Sequence, residues 1–186
     1  TTFFIDQEID TGNIIFSEEV EISVNETAGE LHDKLMAIGA SLVLETVKNI
    51  AGKNITPISQ KNLNQTESLI KPAPKIFRET CRIDWSKPAP QVHNLIRGLS
   101  PYPAAWTEVC FDDGSTIQAK ILRSNLIEKD HNFEIGTIII EGKNSLNIAC
   151  SNGFISVTEI QLAGKKSMKT NDMLNGFRNV IPLKMI

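Results

Sequence analysis

The sequence predicts a chain in two parts. An α/β segment occupies residues 1–56 and an all-β barrel with an inserted helix occupies 76–186, joined by a linker at 57–75. Three observations carry that expectation. Two short apolar runs are followed by one long stretch of helical periodicity, the middle is polar and unpatterned, and the second half holds short alternating runs separated by turn dipeptides.

The first apolar runs, residues 2–5 and 13–22, contain Phe3, Phe4 and Ile5, then Ile14, Ile15, Phe16, Val20 and Ile22. Between them the polar stretch Asp6–Thr11 ends in Gly12, a turn signal. Thr27 and Glu30 have capping-box spacing. Behind them Leu31, Leu35, Ile38, Leu42, Val43, Val47 and Ile50 recur at helical intervals, with Gly52 as the expected stop and Pro57 soon after. One strand pair and one helix cannot enclose a core, so 1–56 is expected to be the tail of a larger α/β domain, in a chain that opens inside a strand. Residues 57–75, ending in Lys71-Pro72-Ala73-Pro74, read as an interdomain linker stiffened by proline.

From residue 76 a first strand is expected to end at Arg82-Ile83-Asp84-Trp85. Ser86 is placed to cap a helix with Pro88 in its first turn, and Val92, Leu95, Ile96 and Leu99 form its apolar face. Pro101 and Pro103 stop that helix. Strands are then expected at 104–111, 115–123, 135–141, 145–150 and 154–162, with hairpin signals at Asp113-Gly114 and Asn152-Gly153. Thr170 or Asn171 can cap a last short helix with Met173, Leu174 and Phe177. Five or six short strands with an embedded helix fit a small closed barrel of the OB type.

Composition removes several classes. With 41% hydrophobic and 22% charged residues the 186-residue chain is neither disordered nor fibrous. No apolar run approaches the roughly 18 residues of a membrane span. The three cysteines, Cys81, Cys110 and Cys150, lack metal-ligand or disulfide spacing, which favours a reducing cytoplasm, and His32, His93 and His131 are scattered. No metal site is expected. Charge is distributed unevenly: residues 1–60 carry three basic against ten acidic residues, residues 61–186 sixteen against twelve. The stretch 165–186 sets Lys165, Lys166, Lys169, Arg178 and Lys184 against Asp172 alone. Such polarity fits either a polyanion-binding half or a solvated basic tail.

Read alone, Asp10 is one acid in a turn, a common structural use of aspartate. No Ser/His/Asp arrangement, P-loop or G-x-G-x-x-G occurs. Trp85, Tyr102, Trp106 and Phe111 can stack on bases or fill a core. The residues by themselves support an acidic α/β tail joined to a basic OB-like barrel.

The segment Phe4-Ile5-Asp6-Gln7-Glu8-Ile9-Asp10-Thr11-Gly12 resembles the folate-loop and catalytic-aspartate motif of the folate-dependent formyltransferases. Ile83-Asp84-Trp85, the run Ile96–Ala105, the run Glu159–Met168 with its Gln-x-Ala-Gly-Lys-Lys block, and Asp172-Met173-Leu174-Asn175-Gly176 narrow the resemblance. Together they are similar to the C-terminal two-thirds of the methionyl-tRNA formyltransferases. Two departures are visible. Pro101-Tyr102-Pro103-Ala104-Ala105 stands where the family has Pro-Trp-Pro-Gly-Ala, which asks for an ordinary φ at residue 104, and Leu162 replaces a proline before Ala-Gly-Lys.

The resemblance implies a Rossmann-like formyltransferase tail before the OB-like domain. It also implies formyl transfer from 10-formyltetrahydrofolate to the α-amino group of methionyl-initiator tRNA, without a metal, by a cytoplasmic monomer. Asp10 would be the catalytic carboxylate that tunes a histidine and orders a water. The Asn-x-His pair it serves would precede Thr1, so the isolated chain is expected to be inactive. Gln7, Glu8, Ile9 and Asp10 would border the folate pterin. Lys71, Lys75, Arg78, Arg97, Lys165, Lys166 and Lys169 would supply tRNA phosphate contacts, with pairing to Asp84 or another acid on the barrel an alternative role for Arg97. Two other classes stay open: a non-catalytic OB-like RNA-binding module, and another folate-dependent enzyme of the same fold, acting on a sugar nucleotide or hydrolysing formyltetrahydrofolate.

Overall fold

The computed structural model describes residues 1–60, 72–142, 145–177 and 181–186. They divide into two compact units, one of Thr1–Val24 with Glu30–Lys75, the other of Asn25–Gly29 with Ile76–Ile186. Most of the expected linker, residues 61–71, lies outside the described residues.

In the first unit β1 (Thr2–Phe3) pairs antiparallel with β2 (Ile14–Phe16), and an isolated bridge joins Ile14 to Ile58. The expected strand 13–22 is cut to three residues, because its continuation carries Glu18, Glu19 and Glu21, which suit water better than a ladder. Helix α1 (Ala28–Ala51), whose first two residues belong to the second unit, runs through 24 residues, of which Leu42 and Thr46 are buried. The Thr46 hydroxyl sits 2.9 Å from that of Thr2, tying the helix to β1. The helix ends as a Schellman motif. Asn54 N–H donates to Asn49 O at 2.9 Å and Lys53 N–H to Ile50 O at 3.1 Å. The left-handed residue of that cap is Lys53, at φ +54°, and not the expected Gly52.

The second unit opens on a 3-10 turn, Glu79–Cys81, where a strand was expected. Period-two burial is present, since Cys81, Ile83 and Trp85 are buried between exposed Arg82 and Asp84. The segment nevertheless makes one parallel bridge, Arg82 with Trp106, before a turn at Asp84–Lys87 ends it. Ser86 gives its hydroxyl to Asp84 and caps no helix. Helix α2 (Ala89–Leu99) starts after Pro88 and buries Ala89, Val92, His93, Ile96 and Leu99.

Strands β3 (Ala105–Phe111), β4 (Thr116–Ile127), β5 (Ile138–Glu141), β6 (Ser145–Cys150), β7 (Gly153–Leu162), β8 (Met168–Lys169) and β9 (Pro182–Met185) follow, with α3 (Thr170–Gly176) between the last two. Their sheet order is β5-β6-β7-β4-β3-β9, all antiparallel, with β8 on β7. The ends meet: Thr137 bridges Lys184, and Met185 N–H donates to Gly136 O at 2.9 Å. Gly136 permits this, because at φ +81° a Cβ there would lie 2.3 Å from Met185 O. The result is a nearly closed barrel whose core holds Ile96, Ile121, Leu146, Ile148, Ile155 and Ile160, each fully buried.

Trp85 and Phe111 belong to that core. The Trp85 indole donates to Thr107 Oγ1 at 3.0 Å, and the Thr107 hydroxyl passes the bond on to Ile186 O. Ala104 departs from expectation. It adopts φ +71°, the left-handed conformation that glycine takes without steric cost, and not the ordinary φ expected of alanine. Its N–H is anchored to Leu99 O at 2.9 Å. Among the described residues no helix is long and apolar enough to cross a membrane, and no group of three His, Cys, Asp or Glu is placed to hold a metal.

Candidate functional site

The first unit presents a loop from Phe4 to Gly12, closed at its neck. Phe4 N–H donates to Asn13 O at 3.0 Å, and Gly12 packs so tightly beneath Phe4 that a Cβ would come within 1.6 Å of the Phe4 carbonyl oxygen. The Gln60 amide clamps the same neck, donating to the carbonyls of Asp10 at 2.9 Å and Gly12 at 2.7 Å. Inside the loop, Gln7 N–H donates to Asp6 Oδ1 and the Thr11 hydroxyl to Glu8 O. Gln7, Glu8, Ile9 and Asp10 are therefore brought together on one ordered turn, all four exposed, with Ile9 at 90%. Asp10 adopts φ +59°, a left-handed conformation that aspartate tolerates better than most residues. A carboxylate so held can orient an imidazole or a water, and Ile9 offers an apolar edge to a planar ring. His32, the one histidine of this unit, sits on α1 beside Asp33 and not at the loop.

Several cations of the second unit surround one face of the barrel sheet. Ladder register aligns Trp106 of β3 with Lys120 of β4 and Gln161 of β7, so the three share one face. The Trp106 ring meets two arginines, Arg78 and Arg82, that flank the 3-10 turn Glu79–Cys81. The Arg78 guanidinium carbon is 5.4 Å and that of Arg82 5.3 Å from the ring centroid, within cation–π range. The indole N–H donates to Arg78 O at 2.9 Å, and Arg78 Nη2 reaches Gln118 Oε1 at 3.5 Å. Arg82 also faces Glu108 at 3.9 Å. At the far end of the row, the Gln161 amide donates to Lys165 O at 3.0 Å and Lys165 N–H to Leu162 O. That bonding fixes the turn after β7, on which Lys165 and Lys166 are exposed; Lys169 is exposed on β8.

The other expected cations lie elsewhere. Lys75 is exposed at the end of the first unit, and Lys71 lies outside the described residues. Arg97 is half-buried on α2, donating through Nε to Asn94 Oδ1 at 2.7 Å and through Nη1 to Glu26 O at 3.2 Å. It does not pair with Asp84, whose carboxylate accepts from the Ser86 hydroxyl and N–H and faces Lys87 at 3.8 Å; the two Ser86 bonds hold its pKa below the usual aspartate value. Beside Arg97, His93 is buried, Nδ1 against Ser124 Oγ and Nε2 against Asn25 Oδ1, both at 3.0 Å. Burial first, and Arg97 second, push its pKa below the ordinary imidazole value.

Sequence reasoning passed over Lys120 and Arg82. The signal for Lys120 was available, since it alternates with buried Ala119 and Ile121 in a strand. Arg82 needed the Trp106 contact, which is tertiary.

The formyl transferase C-terminal domain family model matches residues 75–178. The methionyl-tRNA formyltransferase of Bacteroides thetaiotaomicron is 46% identical over 96% of this chain and 55% of its own length. That of Phocaeicola vulgatus is 47% identical over the same shares, and that of Flavobacterium johnsoniae 45% over 95% of the chain and 54% of its own length. The chain thus spans about half the length of the curated relatives it matches. Among solved structures, HypX from Aquifex aeolicus superposes with a TM-score of 0.67 at 16% identity, covering 94% of this chain and 29% of HypX. An N-formyltransferase from Helicobacter canadensis, solved with folinic acid and dTDP-3-aminofucose, superposes at 0.56 with 22% identity, over 83% of this chain and 53% of that one. These two show a shared fold. With the family model covering more than half of its residues, the chain belongs to the formyl transferase C-terminal domain family.

Proposed function

We propose that the chain is the C-terminal part of a cytoplasmic enzyme that transfers the formyl group of 10-formyltetrahydrofolate to the α-amino group of methionyl-initiator tRNA. On this reading residues 1–56 complete a Rossmann-like catalytic domain, 57–75 connect, and 76–186 form an OB-like domain that grips the tRNA. The observation that carries it is the 42–47% identity to methionyl-tRNA formyltransferases of the Bacteroides group over nearly the whole chain, loop and barrel together. The Helicobacter canadensis N-formyltransferase, at 22%, supports the fold and not the substrate.

In the proposed reaction the methionyl amine attacks the formyl carbon, giving a tetrahedral intermediate whose oxyanion needs a donor. The attacking nitrogen then loses a proton, N10 of the folate gains one, and the formyl C–N10 bond breaks to release tetrahydrofolate and the N-formylated product. Asp10 acts on the proton-transfer side, orienting a histidine supplied by the rest of the catalytic domain. The turn Gln7–Asp10 borders the pterin. Arg78, Arg97, Lys165, Lys166 and Lys169 of the barrel domain contact phosphates, with Lys71 and Lys75 of the connecting segment as further contributors; such contacts position the tRNA without reading its sequence.

One experiment on the longer enzyme containing this chain tests both halves. Asp10→Asn lowers kcat for formylation strongly and leaves tRNA affinity unchanged. Lys165→Glu with Lys166→Glu reduces the slope of log K against log salt, roughly −2 to −4 for three to five phosphates, by about two units. Near-normal turnover in the first variant returns Asp10 to a structural turn residue, and identical slopes in the second remove this segment from the interface.

A further inference from the structure

We propose that a cavity of about 330 Å³ on the outer face of the barrel, between the Ser100–Ala104 turn and strands β3 and β4, binds one unpaired nucleotide of an RNA strand. The inference rests on reading the barrel as an RNA-binding domain and adds to it a site for a base, beyond phosphate contacts.

Phe77, Arg78, Tyr102, Trp106, Gln118 and Lys120 line the cavity. Tyr102 is 85% exposed and Phe77 54%, with Ile76 beside them at 57%. Three large apolar side chains held in water around one concavity are the mark of a binding surface and not of a packing remainder. The Tyr102 turn is fixed by Ala104 N–H on Leu99 O and by Gly29 N–H on Ser100 O, at 2.9 and 3.0 Å, so the ring is presented on a held backbone.

The rings divide the work. Trp106 already carries Arg78 and Arg82 within 5.4 Å of its centroid and has its indole N–H bonded, so it serves as the platform that positions two guanidiniums. Tyr102, at 85% exposure, keeps its ring in solvent. Arg78 and Lys120 put positive charge on the cavity wall, Arg82 adds to it across Trp106, and among the described residues no carboxylate lines it. Aromatic surface with adjacent cations and no acid matches a base followed by its phosphate. Volume sets the other limit. At the small end of ligand pockets the cavity suits one base with its sugar, and a base within a duplex has no free face to offer.

The test uses the 186-residue chain and two RNA hairpins of identical stem, one blunt and one with a four-nucleotide 3′ tail, in fluorescence anisotropy over a salt series. Wild type is expected to prefer the tailed hairpin. Tyr102→Ala weakens the tailed hairpin by about tenfold, in the range of one lost base stack, leaves the blunt one unchanged, and leaves the salt slope as it was. Tyr102→Phe retains the preference, since the ring and not the hydroxyl does the stacking. Equal affinities for both hairpins in wild type, or an equal loss on both in Tyr102→Ala, overturn the nucleotide site while leaving the phosphate grip standing. Binding of neither hairpin by wild type overturns the RNA reading of the barrel and this site with it. Because Tyr102 is exposed, its replacement does not perturb the core, and the buried Trp85 emission checks that the barrel remains folded.

Discussion

The two units use apolar residues in opposite ways. In the barrel, Val109, Ile121, Ile148, Ile155 and Ile160 are all at 2% exposure or less. Helix α1 of the first unit is as apolar in sequence, yet Leu35, Met36, Val43, Leu44 and Val47 stay 47–63% exposed. The contrast separates what periodicity determines from what it does not. A helical repeat specifies which side chains share a face, and only a second surface makes that face a core. Closure supplies that surface in the barrel, where every strand meets a neighbour and the inner faces meet each other. In the first unit β1 and β2 contribute five residues between them, enough to cover Ile15, Leu42 and Thr46 and little more. Much of the apolar surface of its helix is left uncovered among the described residues, and the curated relatives are almost twice as long as the chain.

The sharpest way to break the comparison is to remove equivalent side chains from each unit. Ile148→Ala is expected to lower stability by about 2–5 kcal/mol, because it leaves a cavity in a closed core. Leu44→Ala, on the exposed side of α1, is expected to stay within about 0.5 kcal/mol. Denaturant titrations of the two variants decide it. A Leu44→Ala cost approaching that of Ile148→Ala means that α1 is covered in solution, and the contrast between the units fails.

A smaller effect concerns pH and belongs to the second unit alone. His93 is held neutral in the folded state by burial and by Arg97, so its folded pKa lies below the unfolded value near 6.5. Between those two pKa values the unfolded chain binds a proton that the folded chain does not. Its contribution to stability is therefore full above about pH 6.5 and declines as pH falls toward the folded pKa. The barrel transition, measured from pH 7.5 to 5, should weaken on acidification, and His93→Gln should flatten part of that slope. An unchanged slope in the variant assigns the acid sensitivity to other groups.

What was legible in the sequence follows the same division. Strand β3 and the middle of β4 were visible because inward and outward residues alternate, and Asp113-Gly114 and Asn152-Gly153 mark the β3–β4 and β6–β7 hairpins. The loop at Gln7–Asp10 was visible as a motif, while its closure by Gln60, some fifty residues away, was not. Residues 79–85 show the limit of periodicity. Their alternation is real, but one bridge to Trp106 does not make a strand. Arg97 shows another, because its bond to Glu26 O spans 71 positions and no local pattern announces it.

The smallest predicted effects come from two left-handed residues that are not glycine, one in each unit. Lys53, at φ +54° in the cap of α1, is exposed; Ala104, at φ +71°, is buried at 1%. Either residue in that conformation costs roughly 1–2 kcal/mol that glycine avoids. Glycine returns about 0.4–1 kcal/mol of this through the greater freedom of the unfolded chain. At Lys53 nothing buried is lost, so Lys53→Gly should gain about 0.5 kcal/mol. At Ala104 a buried methyl, worth roughly 0.8 kcal/mol, is lost as well, so Ala104→Gly should come out within about 0.5 kcal/mol of zero. The two can be read separately. Both tryptophans, Trp85 and Trp106, lie in the barrel, so fluorescence follows the second unit, while α1, at 24 residues the longest helix described, dominates the far-UV helix signal. If Lys53→Gly shifts the helix signal and leaves the fluorescence transition in place, the two units unfold independently. A shift of both together makes them one cooperative structure.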